Sequence, residues 1–146
     1  MTDTGTIHAS AVLVGTKAVL IRGPSGSGKS RLAWALLEAS LTGALGFGRL
    51  VADDRASVEA IHGRLIVRPA PELVGLIEMR GLGIRKLPYE PVAVVGWLVD
   101  LFAEDAARLP ETMEIAVAGV TLPRLAVARG ANPLPPVLAA LRTSGN

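Results

Sequence analysis

The segment Gly23-Pro24-Ser25-Gly26-Ser27-Gly28-Lys29-Ser30 constrains this chain more than any other. It has the form G-x-x-x-x-G-K-S, follows the apolar run Ala18 to Ile21, and leads at once into a helix-forming stretch that starts at Lys29. A strand, a glycine-rich turn and a helix in that order bring backbone N–H groups together around an anion. The helix N-terminus adds a partial positive charge at the same point. In such a loop Lys29 is expected to reach the β- and γ-phosphates of a nucleotide. The Ser30 hydroxyl is expected to hold Mg²⁺. The chain must therefore place a buried strand directly beneath a helix, which is an α/β arrangement.

The other elements are mostly strands. Ile7 to Gly15 and Lys17 to Arg22 alternate like a hairpin that feeds the loop, with a turn at Gly15-Thr16. The helix should run from Lys29 to Ser40, with Leu32, Leu36 and Leu37 on its packing side and Trp34 off that stripe. Leu41 to Gly48 is glycine-rich and is expected as a loop. Short strands follow at Arg49 to Ala52, Ser57 to Ala60 and Arg64 to Val67, the last two joined by a tight turn at His62-Gly63. Leu73 to Met79 is apolar. Val92 to Phe102 is long and β-branched and should be a central strand, interrupted only by Asp100. Met113 to Ala118 and Val120 to Val127 should form a hairpin turning at Gly119, with Pro123 marking an edge or a bulge. A short helix is expected from Pro135 to Arg142, with proline in its first turn. The expected fold is a strand-rich mixed sheet with one helix adjoining the glycine-rich loop. The helices of a doubly wound nucleotide kinase are missing. We expect one domain over residues 1–146, with 1–6 and 143–146 as flexible tails.

Composition narrows the partners. Half of the residues are hydrophobic and 3% are aromatic, so the core must be built from Leu, Val, Ile and Ala. Only 19% are charged, which suggests that some apolar surface is covered by a partner or by further copies of the chain. The net charge of +2 comes without a Lys/Arg run, so no nucleic-acid partner is expected. The absence of cysteine suits a reducing compartment. No stretch is apolar for long enough to cross a membrane, and residues 1–5 lack a charged-then-apolar leader pattern. A soluble cytoplasmic protein is expected.

Asp53-Asp54 close the apolar run Leu50-Val51-Ala52. Adjacent residues of an extended chain point to opposite faces, so the two carboxylates should do different jobs. One can bind a metal ion or its waters, and the other can accept a proton from an attacking hydroxyl. The plainer alternative, a turn acid followed by the counter-charge of Arg55, loses weight beside a phosphate-binding loop. In Glu78-Met79-Arg80-Gly81-Leu82-Gly83 the two glycines allow either a close backbone approach or a β-bulge. Spacing alone singles out neither His8, a lone histidine among small residues, nor Arg108 and Arg129, single loop cations.

Four separated segments together resemble the catalytic domain of the HPr kinase/phosphorylase family, in the short form seen in alphaproteobacteria that lacks the family's N-terminal domain. They are His8-Ala9-Ser10, the loop Gly23 to Ser30, Leu50 to Asp54, and Glu78-Met79-Arg80-Gly81-Leu82-Gly83-Ile84. The resemblance implies a fold like that of PEP carboxykinase. It implies an ATP- and Mg²⁺-dependent protein-serine kinase acting on HPr, the small carrier protein of the phosphotransferase system. It further implies the reverse phosphorolysis, with phosphate as acceptor and pyrophosphate as product. By matching position, Asp54 is implied as the acid that takes the seryl proton. Ser30 and Glu78 are implied as Mg²⁺ ligands with Asp53 beside them, and Lys29 and His8 as active-site residues. Arg108 resembles an essential arginine in a loop of similar sequence. Arg129-Gly130-Ala131-Asn132 resembles a loop linked to dephosphorylation, here with one of its arginines missing. Family members assemble as hexamers, which implies a homo-oligomer. Two further functions fit the glycine-rich loop alone: a small-molecule kinase or NTPase, and a non-enzymatic nucleotide-binding regulator.

Overall fold

The computed structural model describes residues 4–106 and 113–143. Eleven strands and two helices follow in order among them: β1 (Thr4–Ile7), β2 (Ala9–Val14), β3 (Lys17–Arg22), α1 (Lys29–Leu41), β4 (Gly48–Ala52), β5 (Ala56–Ile61), β6 (Arg64–Pro69), β7 (Leu76–Met79), β8 (Gly83–Lys86), β9 (Ala93–Leu101), β10 (Glu114–Val117), β11 (Val120–Val127) and α2 (Leu134–Arg142). The main sheet runs β1-β5-β6-β9-β3-β2-β4, with β11 also on β9 and β10 on β11. β7 and β8 form a separate antiparallel hairpin. The directions are mixed: β3, β9 and β11 are parallel neighbours, whereas β2 is antiparallel to both β3 and β4.

The expected hairpin into the loop is present as β2–β3, turning at Gly15 with φ 66°. The turn at His62-Gly63 joins β5 to β6 with both residues at positive φ, as a two-residue hairpin turn requires. β9 is central, pairing with β6 at its start and with β3 and β11 further along. Pro123 precedes the stretch Arg124–Val127 that bonds to β9, so its missing N–H removes nothing from that ladder. The amino-terminal tail is a correction. Of residues 1–6, those from Thr4 onward belong to β1, which pairs antiparallel with Ala56–Glu59. An edge strand can be held by its ladder alone, which leaves little hydrophobic signal in Thr4-Gly5-Thr6. The end of the apolar stretch Leu73 to Met79 becomes β7, and Gly83 to Lys86 turns back on it as β8.

Alternate residues of β3 enter two cores, as befits a strand covered on both faces. Val19 and Ile21 pack with Leu32 and Leu36 of α1 and with Val99, Leu101, Val127 and Val137. Ala18 and Leu20 pack on the opposite face with Val58, Leu65, Val67, Leu98 and Leu122. Leu32, Leu36 and Ala39 lie at helical spacing and are all buried. Trp34 also reaches the helix-side core. No helix among the described residues is long and apolar enough to cross a membrane.

The topology brings the loops of interest to one end. β3, β4 and β9 run the same way, so the glycine-rich loop, Asp53-Asp54 and Asp100 leave the sheet at their carboxyl ends. Antiparallel β2 starts at that end, with His8 just before it. Leu36 is fully buried between α1 and the sheet. Its substitution by Ala should cost about 2–5 kcal/mol in urea unfolding; a loss well under about 1 kcal/mol would contradict this packing.

Candidate active site

The glycine-rich loop keeps its backbone in conformations that glycine tolerates. Gly26 and Gly28 have φ of 81° and 98°. A Cβ at Gly23 would stand 2.5 Å from Ser27 Oγ and 3.1 Å from Leu101 Cβ, so the loop rests closely on the end of β9. The Ser27 hydroxyl is buried there without a partner among the described residues. The loop closes with Ser27 N–H donating to the Pro24 carbonyl at 3.0 Å. Gly28 caps α1 without a side-chain hydrogen bond, which leaves the first-turn amides to an anion. Lys29 is 7% exposed, and its Nζ donates to the carbonyls of Gly23 at 2.9 Å and Pro24 at 3.3 Å.

Asp53, 4% exposed at the end of β4, ties this loop to the sheet. Its Oδ1 accepts from Ser30 Oγ at 2.6 Å and from Ser10 Oγ at 2.8 Å. Its Oδ2 accepts the Glu78 N–H at 3.0 Å. A buried carboxylate needs donors of this kind to offset its desolvation. Ser10 also accepts the Asp54 N–H at 3.2 Å, so one hydroxyl bridges the two acids. Asp54 itself is exposed and left-handed, with φ 67°. Its carbonyl accepts the Ala9 N–H at 3.1 Å, next to His8, which is also exposed. Aspartate adopts this region more readily than most non-glycine residues, and His62, Phe102 and Ala118 share it.

The other expected residues are spread around this centre. Glu78 contributes its backbone amide, while its side chain is exposed. Arg80, Gly81 and Leu82 form the turn of the β7–β8 hairpin, where Leu82 N–H donates to the Met79 carbonyl and Gly81 and Gly83 have positive φ. Arg129 is exposed and lies over the Phe102 ring, 4.5 Å from its centroid. Arg108 lies outside the described residues. Among the described residues no group of three or more His, Cys, Asp or Glu stands together as a ready cation cage. The donors beside the loop are oxygens, from Ser30 and Asp53. That set fits a hard dication that takes the rest of its shell from phosphate and water.

Sequence reasoning overlooked two features. Ser10 is completely buried in an apolar strand; its place in His8-Ala9-Ser10 marks the segment, but sequence assigns no role to its own hydroxyl. The second is a chain of charges, Arg22–Asp100–Arg124–Asp105, at the carboxyl ends of β3 and β9. A charge inside the apolar run of β9 demands a partner, but sequence does not say which. Burial alone would raise the Asp100 carboxyl. Hydrogen bonds from Arg22 and Arg124, reinforced by their charge, outweigh it and hold Asp100 below its usual range. The Asp105 carboxyl is lowered chiefly by its hydrogen bond from Arg124, and that bond in turn raises Arg124.

Fold and site together define a mixed-sheet protein in which a buried carboxylate ties a glycine-rich strand–loop–helix to a second, exposed acid. A family model described as the HPr Serine kinase C-terminal domain matches residues 1–88, and the chain belongs to that family. The HPr kinase/phosphorylase of Clostridium beijerinckii is 40% identical over 78 residues, covering 53% of this chain and 24% of that protein. That of Clostridium tetani is 38% identical over 82 residues, covering 56% of this chain and 25% of that protein. Each match thus covers about a quarter of a curated relative. The Hpr(Ser) kinase/phosphatase structure from Coxiella burnetii superposes with a TM-score of 0.76 at 21% identity, covering 94% of either chain. The strand-rich mixed fold expected from sequence is that fold.

The lowered Asp100 value fixes a pH dependence. A carboxylate favoured in its ionised form by folding stabilises the fold above its unfolded value of 3.8, and that contribution is lost as pH falls through the lower folded value. The difference in thermal midpoint between the wild type and Asp100→Asn should stay constant from about pH 7 to about pH 5 and close under stronger acid. A difference that persists unchanged in strong acid would contradict the ionised network.

Proposed function

We propose that this chain is the catalytic domain of an ATP- and Mg²⁺-dependent protein-serine kinase that acts on HPr. The observation that carries this reading is the division between Asp53 and Asp54. Adjacent in sequence, one is buried and bonded to the loop serine, and the other is turned out to solvent. Loop amides, the first turn of α1 and Lys29 would bind and orient the nucleotide phosphates. The Ser30 hydroxyl and Glu78, with Asp53 beside them, would hold Mg²⁺, which when bound offsets phosphate charge. Asp54 would orient the seryl hydroxyl and take its proton as the serine oxygen bonds to the γ-phosphorus and the bond to the departing diphosphate breaks. Hydrogen bonds of the Asp54 backbone with Ser10 and Ala9 support that role.

In the reverse direction the same groups would serve phosphorolysis of seryl phosphate to pyrophosphate, with Asp54 returning the proton. His8 would stand at the rim of the same site, and Arg80, Arg108 and Arg129 would contribute positive charge around it. We place the protein in the cytoplasm, as a homo-oligomer. Exposed Leu82 and Ile84 on the β7–β8 hairpin support a surface for a further protein chain.

Incubation with HPr, Mg²⁺ and γ-labelled ATP should place label on a serine of HPr. Asp54→Asn should bind nucleotide as before but transfer about 10²–10⁴-fold more slowly. A folded wild-type protein that binds ATP without labelling HPr would exclude the kinase assignment. Near-normal transfer by Asp54→Asn would exclude Asp54 as the base.

A further inference from the structure

The charged chain through Asp100 lies at the root of the glycine-rich loop, and the mechanism above makes no use of it. Arg22 is the last residue of β3, and Gly23 opens the loop. In the parallel register Arg22 stands beside Asp100. Its Nε and Nη2 donate to the two carboxylate oxygens at 2.8 and 2.9 Å. Arg124, on β11, donates from Nε to Oδ2 at 2.6 Å. A two-pronged guanidinium–carboxylate pair fixes orientation as well as distance. The next residues on either strand also touch: Gly23 lies so close to Leu101 that a Cβ there would be 3.1 Å from that side chain's own Cβ. The Gly23 carbonyl is in turn the nearer acceptor for Lys29 Nζ. Contacts thus run without a break from Asp100 through Arg22 and Gly23 to the loop's cation. Asp100 and Arg124 both fall outside the residues matched by the family model.

We propose that Asp100 is a positioning residue for phosphate binding: through Arg22 it fixes the start of Gly23–Ser30, and with it Lys29, while Arg124 keeps the Asp100 carboxylate in place. This rests on the reading of the loop as a phosphate site. Asp100 touches no phosphate, so its effect is indirect, and the sign of that effect distinguishes it from a purely electrostatic role. An acid that merely offset positive charge near the loop would oppose a polyanion, and neutralising it would tighten binding. An acid that positions the loop does the opposite when neutralised.

Calorimetric titration of the full chain with Mg·ATP and with Mg·pyrophosphate tests this. Asp100→Asn should weaken both ligands by about tenfold. Arg22→Lys, which keeps the charge and loses the fork, should weaken them comparably. In an Arg22→Ala background, Asp100→Asn should add little, because the two act as a unit. Unchanged or tighter binding by Asp100→Asn, with only its thermal midpoint lowered, would overturn the proposal. So would wild-type affinity in Arg22→Lys, which also serves if Asp100→Asn does not fold. Lys29→Ala separates the two readings: if the wild type binds neither probe, or Lys29→Ala binds both as well as wild type, the phosphate site itself is wrong and the positioning role falls with it.

Discussion

The Asp53 carboxylate is the interaction on which the site depends. A carboxyl group with so little exposure needs donors to replace its water. Here they come from β2, from the first turn of α1 and from β7. These elements are far apart in sequence, and their common acceptor sets them at fixed distances from one another. The same arrangement explains Asp54. With Asp53 turned inward, a left-handed step at the next residue directs the chain outward. Ser10 then holds both ends of that step, accepting from one acid's amide and donating to the other's carboxylate.

A second constraint acts from within the sheet. Three parallel strands run side by side, and each carries a charged residue in its second half: Arg22, Asp100 and Arg124. Aligned carboxyl ends are where open α/β sheets place their ligands. The ion pairs do there what apolar contacts cannot, since dispersion is non-directional whereas a guanidinium fork has a single best orientation. The hydrophobic layers hold β3 and β9 together, and the ion pairs fix how their ends are turned.

Much of this was legible in the sequence, for identifiable reasons. The glycine-rich loop, its flanking strand and its helix carry local signals, and they lie where those signals put them. β9 announced itself by its β-branched run and the β5–β6 turn by His62-Gly63. What stayed hidden was whatever depends on long-range pairing. β1 has almost no apolar pattern because its ladder to β5, and not a buried face, holds it. Ser10 belongs to the His8-Ala9-Ser10 motif, yet nothing local gives its hydroxyl a role, since its value lies in an acid more than 40 positions away. The partners of Asp100 lie on two other strands, and no local rule names them. Glu78 shows a further limit: sequence pointed to its carboxylate, and the structure joins its backbone amide to Asp53.

The place of β9 in the sheet has a consequence for how the chain is made. Synthesis proceeds from the amino terminus, so β1 to β6 leave the ribosome before their central neighbour exists. Until β9 emerges, β3 and β6 each carry a bare edge of unpaired backbone groups, flanked by the apolar faces that later form two cores. Exposed edges of that kind invite pairing with other chains. The nascent protein therefore passes through an interval of greatest vulnerability that ends with a single insertion. That insertion joins the halves of the sheet and sets the base of the glycine-rich loop in the same event.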